Sequence, residues 1–194
     1  MRPILALILF CPLFSSAQYE PPQKEEDHLR MEINNQIFRL LIPITVERFG
    51  GIGLQASYEH VIRKPFTFVI KGGPTFYAED PDVFGINGRI AGEVRYYFNL
   101  FHRIKKDKTV KNFTAGYLSI EPFAVTGSYQ FLRKGDIYEP PPESGAFINI
   151  GYQWQFKRSY ANIFFGTRFP GKVYSESVDA TDLLHAGLVI GKVF

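Results

Sequence analysis

The sequence predicts an all-β fold, an eight-stranded antiparallel up-and-down transmembrane β-barrel with its apolar residues turned to lipid. Three observations carry this expectation. Apolar and polar residues alternate with period two in eight separate segments. The polar faces hold charges of both signs at mid-strand positions, and the connectors alternate between short and long.

The first segment, MRPILALILFCPLFSSAQ, precedes any strand. Arg2 supplies a positive start, Ile4 to Phe14 an apolar stretch, and Ser15-Ser16-Ala17 the small residues of a cleavage site. Residues 1–17 therefore read as a secretory signal peptide, cut near Ala17, and too short for a transmembrane helix. Cys11 is the one cysteine and leaves with the signal, because Phe10 stands where lipoprotein processing needs a small residue. The mature chain then has neither disulfides nor thiol chemistry. Residues 18–34, QYEPPQKEEDHLRMEIN, are polar and read as a mobile leader on the periplasmic side or a short helix. Residues 35–194 form the barrel domain. The net charge of +3 is spread along the chain, which argues against a nucleic-acid partner.

The strands follow in order. In 37–47, Phe38, Leu40, Ile42, Ile44 and Val46 oppose Arg39, Thr45 and Glu47. In 52–62, Ile52, Leu54, Ala56 and Tyr58 oppose Gln55, Ser57 and Glu59. In 66–76, Phe66, Phe68 and Ile70 oppose Thr67 and Lys71. In 86–98, Ile86, Ile90, Val94, Tyr96 and Phe98 oppose Asn87, Arg89, Glu93 and Arg95. The fifth, 115–129, sets Leu118 and Ile120 against Ser119 and Glu121, and Pro122 is expected to break its phase with a bulge. The sixth and seventh lie in GAFINIGYQWQFKRSYANIFFGTRFPG, where Ile148 to Phe156 alternate with Asn149 to Lys157, and Ala161, Ile163, Phe165 and Phe169 oppose Asn162 and Arg168. The eighth, 184–194, sets Leu184, Ala186, Leu188, Ile190 and Phe194 against His185, Gly187 and Gly191.

Alternation leaves open which face is wet. A soluble barrel buries the apolar set, whereas a membrane barrel buries the polar one. The second choice puts Arg39, Glu59, Lys71, Arg89, Glu93, Arg95, Glu121, Lys157 and Arg168 inside, as a lumen charge network with Gly72, Gly73, Gly151, Gly187 and Gly191 as small interior positions. Pairing of adjacent strands suggests an Arg39–Glu59–Lys71 cluster, with Arg89, Glu93, Arg95 and Glu121 in a second. Connector lengths favour the membrane choice. The links at 60–65 and 157–160 are tight, while 74–85, 130–146 and 170–183 are long and polar, as expected of a chain that starts and ends in the periplasm. Two connectors depart from this pattern: 47–53 is short for an outside loop, and 99–113 is long for a periplasmic turn. Aromatics at the periplasmic strand ends, Tyr58, Phe66, Tyr96, Phe98, Trp154, Phe156, Tyr160 and Phe194, suit an interface girdle, and Phe76, Tyr129, Phe147 and Phe169 the opposite one.

A signal peptide, eight alternating strands and the final Phe194 together resemble the small outer-membrane β-barrels of Gram-negative bacteria, of OmpA/OmpX-like architecture. The segments EVRYYFNL (93–100) and NFTAGYLSIEPF (112–123) are similar to ones in such families. The resemblance covers about residues 35–194. It implies a location in the outer membrane, outer-membrane lipid as surroundings, and Phe194 as the assembly signal read by the barrel assembly machinery. No peptidoglycan-binding segment is seen after the barrel, so that activity is not implied.

Signals for chemistry are sparse. His28, His60, His102 and His185 are scattered, and His185 reads as a structural residue of the last strand. AEDPD at 78–82 lacks the regular ligand spacing of a calcium loop. GINGRIAG at 85–92 opens a strand rather than a helix, so it is no phosphate loop. The sequon Asn112-Phe113-Thr114 has no meaning in a bacterial protein, and RIKKDK at 103–108 reads as a solvated turn before a lipid contact. No catalytic, metal or cofactor site is expected. Because side chains fill an eight-stranded barrel, a porin-like channel is not expected either. The expectation is a monomeric, non-enzymatic outer-membrane barrel that serves the membrane's structure or binds a surface partner through its long loops. A soluble periplasmic lipocalin-like barrel with a small apolar ligand is the alternative, and a lipid-modifying enzyme of the outer membrane the third.

Overall fold

The computed structural model describes residues 33–46, 51–80, 83–132, 137–138, 142–169 and 183–194. The signal segment 1–17 and residues 18–32 of the leader lie outside the described residues, as do most of the 170–183 connector and Asp82 of the acidic loop.

The strands are β1 (Gln36–Val46), β2 (Ile52–Gly53), β3 (Gln55–Arg63), β4 (Phe66–Asp80), β5 (Val83–Tyr96), β6 (Ala115–Leu132), β7 (Ile137–Tyr138), β8 (Glu143–Phe156), β9 (Ser159–Phe169) and β10 (Leu184–Val193). A short helix, α1 (Leu100–Lys105), and a 3-10 turn at Lys111–Phe113 lie between β5 and β6. β2 and β3 make one wall interrupted at Leu54, whose N–H donates to Pro74 O at 3.0 Å. Gly73 lies opposite that interruption. A Cβ there would sit 2.0 Å from Leu54 O, so the strands approach this closely only with glycine. β7 is a short spur on β6, which leaves eight walls, each antiparallel to its neighbours. β1 pairs with β10 from Arg39↔Val193 to Val46↔Ala186, and the sheet closes on itself. Closure leaves no sheet edge, so the ladder is satisfied all round. Each wall has a run of at least 9 residues, about what a tilted strand needs to cross a bilayer.

The apolar set faces out. Phe38 and Ile90 are 55% and 60% exposed, while Glu59 and Glu93 are 0% and 1% exposed. The same phase runs through β8, with Ile148, Ile150, Trp154 and Phe156 outward and Asn149, Gln153 and Gln155 buried. An apolar band that continues from wall to wall is far larger than a water-soluble monomer exposes. This orientation is the reverse of what the soluble lipocalin-like alternative requires.

Three expectations are corrected. Pro122 does not break the phase. Glu121 and Phe123 both point inward around it, and Pro122↔Ala146 holds register with β8. The irregularity comes later, where β6 shifts register against Ile86 and Gly88; before it Phe123 and Val125 are buried, after it Tyr129 and Phe131 are exposed. An imino acid costs one ladder bond without adding a residue, whereas a bulge adds a residue and so inverts the phase. The 74–85 stretch is no long loop, because β4 and β5 stay paired out to Asp80↔Val83. The 99–113 stretch is no simple turn. It folds back beneath the barrel, and Leu100, Val110 and Phe113 are fully buried there against Ile37, Tyr117 and Val193.

Candidate functional site

The interior is built by phase. Arg39 comes from β1, Glu59 from β3, Lys71 from β4, Arg89, Glu93 and Arg95 from β5, Glu121 from β6 and Arg168 from β9, each at an inward position of its strand. Their pairing depends on the curvature that brings non-adjacent strands together.

Near the base, the end where β1 begins and β10 ends, Glu59 is the centre. Arg39 Nη2 lies 2.6 Å from Glu59 Oε2. Thr67 Oγ1 and Tyr97 OH donate to Glu59 Oε1 at 2.7 and 2.8 Å. Tyr97 follows the last residue of β5; its burial, then the Glu59 carboxylate, hold its phenol well above the ordinary value, so it stays a proton donor.

Higher up, Glu93 and Glu121 face each other across β5 and β6, as the flanking pairs Ala91↔Phe123 and Val94↔Ile120 require. Like charges so placed repel. Lys71 Nζ resolves the conflict from β4, 3.1 Å from Glu93 Oε2 and 2.9 Å from Glu121 Oε2. Arg95 Nη2 adds a 2.6 Å contact to Glu93, and Arg89 Nη2 a 3.2 Å contact to Glu121 Oε1. Neutral groups complete the network. Arg95 Nη1 donates to Gln153 Oε1 at 2.8 Å, and Asn149 Nδ2 to Glu121 Oε2 at 3.1 Å. Arg168 pairs with Glu143 and donates to Ser144 O at 3.2 Å.

Each interior arginine also lies over an aromatic ring: Arg39 over Tyr160 at 4.5 Å, Arg95 over Tyr117 at 4.6 Å, Arg89 over Phe123 at 4.9 Å and Arg168 over Phe123 at 5.4 Å. The rings have room because glycine stands opposite them. Tyr117 pairs with Gly151, where a Cβ would fall 2.5 Å from the ring, and Tyr77 pairs with Gly85, where it would fall 2.1 Å away. Among the described residues, two voids of about 20 Å³ each lie in the interior, one against His185 and one against Tyr160. A void of this size holds about one water.

Four sequence expectations are displaced. Lys71 does not join Arg39 and Glu59; it reaches the opposite way, to Glu93 and Glu121. Lys157 is not in the lumen. It sits exposed in the two-residue β8–β9 turn with φ 53°, its ammonium over the Phe156 ring at 5.6 Å. Tyr160 is not on the outer surface. It is the even-numbered, inward phase of β9, and its hydroxyl donates to Gln153 Oε1 at 3.1 Å. Phe147 likewise points in, stacked on Phe123 at 4.7 Å and on His185 at 3.9 Å. Nearness to a strand end suggests the outer face for both aromatics, and phase overrides it. Tyr58, Phe66, Tyr96, Phe98, Trp154, Phe156 and Phe194 are exposed or half-buried on the outer face toward the base, with ring pairs such as Phe66–Tyr96 at 5.0 Å.

Several interior groups had no sequence signal beyond phase: Thr67, Gln153 and Asn149 are inward polar residues of their strands. Tyr97 and Asn112 had none, because the connector has no period. His185 Nδ1 lies 2.9 Å from Asn149 Oδ1, sandwiched by Phe147 and Phe164. Among the described residues no cluster of His, Cys, Asp and Glu is placed to hold a metal ion.

Strand pairing and the phase of the faces together define a small transmembrane β-barrel. No family model matches the sequence, and no curated protein matches it. Among solved structures the chain is similar to Neisserial surface protein A, at 10% identity and a TM-score of 0.44, over 81% of this chain and 93% of that one. The assignment of this chain rests on its own strand pairings and faces.

Proposed function

We propose that this chain is an integral outer-membrane barrel of a Gram-negative cell envelope, non-enzymatic and non-conducting, acting as a structural element of the membrane or through its loops on a surface partner. The observation that supports it is the inversion of faces: the apolar band lies outside, and ion-paired carboxylates and cations pack inside. Charges buried this way cost several kcal/mol each unless paired, so they belong in an interior where every partner is built in. In this reading the base, with the chain's entry and exit, faces the periplasm. The aromatics near the base sit at the lipid headgroups, and the signal segment directs export. The barrel is a monomer, it needs no cofactor, and the barrel assembly machinery inserts it.

Cell fractionation with heat-dependent gel mobility tests the location. Unboiled and boiled samples are expected to migrate differently, with the protein in the outer-membrane fraction. Folded protein in the soluble periplasm would overturn the reading. Planar bilayers test the lumen: steady porin-like conductance would contradict it.

A further inference from the structure

On the outer wall an apolar groove of about 590 Å³ starts at the β5–β6 connector and crosses β6, β8 and β9 to β10. It exists because Gly116 and Ala186, both in the outward phase of their strands, leave the wall low where outward neighbours such as Tyr152 and Leu188 stand high. Phe98 forms the rim at the base. Its ring lies across Gly116, where a Cβ would fall 2.7 Å from Cζ, and Asn99 Oδ1 accepts the Gly116 N–H at 2.8 Å. Three interstrand spacings give the groove a span of about 14 Å, the reach of much of an acyl chain.

The basal end of the groove meets a concentration of positive charge. The connector that lends Phe98 and Asn99 to the groove continues into Arg103, Lys105, Lys106 and Lys108, against the single carboxylate of Asp107. The three lysines are exposed. They are not on a free loop. Leu100 and Val110 anchor the connector in the barrel base, and Arg103 Nε and Nη2 donate to Thr109 O at 3.1 and 2.7 Å. The Arg103 guanidinium lies 5.8 Å from the ring of Tyr152, a groove residue. An apolar channel that runs into a fixed cationic shelf at headgroup level has the shape of an amphiphile with an anionic head.

We propose that this groove and the 103–108 shelf form a site for an anionic glycerophospholipid, an acyl chain in the groove and the phosphate on the lysines. The site rests on the membrane reading above, with the base at the inner leaflet. A basic patch at the headgroups attracts acidic lipid over neutral lipid even without the groove; the groove adds selection for a held chain.

The sequence has one tryptophan, and Trp154 is on the same outward face as Tyr152, with ring centroids 4.7 Å apart. Its fluorescence therefore reports lipid at the groove. The full chain is refolded into phosphatidylcholine vesicles that contain either brominated-chain phosphatidylglycerol or brominated-chain phosphatidylcholine at equal mole fraction. Brominated phosphatidylglycerol is expected to quench Trp154 more strongly. Replacing Lys105, Lys106 and Lys108 by Gln is expected to cut its relative association by roughly fivefold or more, with quenching by phosphatidylcholine unchanged. Ala186→Phe, which fills the groove, is expected to lower the preference while the shelf stays intact. Equal quenching by the two lipids in the unaltered chain, or a preference that survives the three lysine changes, would overturn the site and leave the membrane reading standing. No quenching by any brominated lipid, with no heat-dependent mobility, would overturn both. A second copy of the chain seated in the groove would screen Trp154 from both lipids as protein density rises, and that outcome too overturns the site.

Discussion

The ammonium of Lys71, on β4, passes over β5 and lies 2.9 Å from Oε2 of Glu121 on β6. On the way it contacts Glu93, the carboxylate that faces Glu121 across the intervening ladder. One cation thus holds two carboxylates that would otherwise repel. Lys71→Met is expected to destabilise the barrel by about 3–5 kcal/mol, the usual cost of breaking a buried pair from one side. Lys71→Arg keeps the charge and should recover much of it. Denaturant unfolding in lipid vesicles measures both, and a Met variant as stable as the parent would show that the bridge contributes nothing.

The Arg39–Glu59 pair permits a cleaner comparison. Glu59→Gln leaves Arg39 buried opposite a neutral group, whereas the double change Arg39→Met with Glu59→Gln removes both charges. The single change is expected to cost more than the double, by about 1–3 kcal/mol. The reverse order in the same unfolding assay would rule out stranded charge as the main cost.

Interior rings and glycines are matched across strands, which makes two glycines a discriminating pair. At Gly151 an added methyl would meet the Tyr117 ring at 2.5 Å, while at Gly92 its nearest neighbour is Phe68 at 3.7 Å. Gly151→Ala is expected to reduce folding yield and stability by about 1–3 kcal/mol. Gly92→Ala should stay within about 0.5 kcal/mol. Similar behaviour of the two variants would mean that ring packing does not limit the interior.

The connector beneath the barrel is expected to seal it. Phe113 is fully buried there, stacked on Tyr97 at 4.6 Å. Phe113→Ala should cost about 3–5 kcal/mol and speed amide exchange of the basal ladder, including the pairs around Glu59. Unchanged exchange at those amides would indicate that the connector merely rests on the base.

Phe194 continues the closing seam, its N–H donating to Phe38 O at 3.0 Å while the ring stays exposed. In the proposed function this ring is the assembly signal, and on that proposal Phe194→Ala is expected to lower the inserted amount in cells more than it lowers stability in vesicles. Quantitative outer-membrane blots beside an unfolding curve separate the two effects. Equal inserted levels would end the signal reading.

The sequence by itself determined most of the strands and which residues share a face. Phe38 to Val46 and Ile90 to Tyr96 alternate so regularly that the two faces of β1 and β5 can be told apart directly, because side-chain period in a strand is a local property of the backbone. Applied strictly, the same period also assigns Tyr160 and Phe147 to the interior. Only the tertiary structure decided the partners inside. Lys71 has Glu59 two positions along from its ladder partner Ser57, yet it turns to Glu93 and Glu121. Arg39, Thr67 and Tyr97 already occupy the Glu59 carboxylate, and the paired carboxylates on β5 and β6 have a greater need of a cation. That competition runs across a closed, curved wall and has no trace in alternation. The fold of the 99–113 connector was hidden for a related reason: it is held by Leu100, Val110 and Phe113 against residues of strands far away in sequence, and a segment held by such long-range contacts carries no period to read.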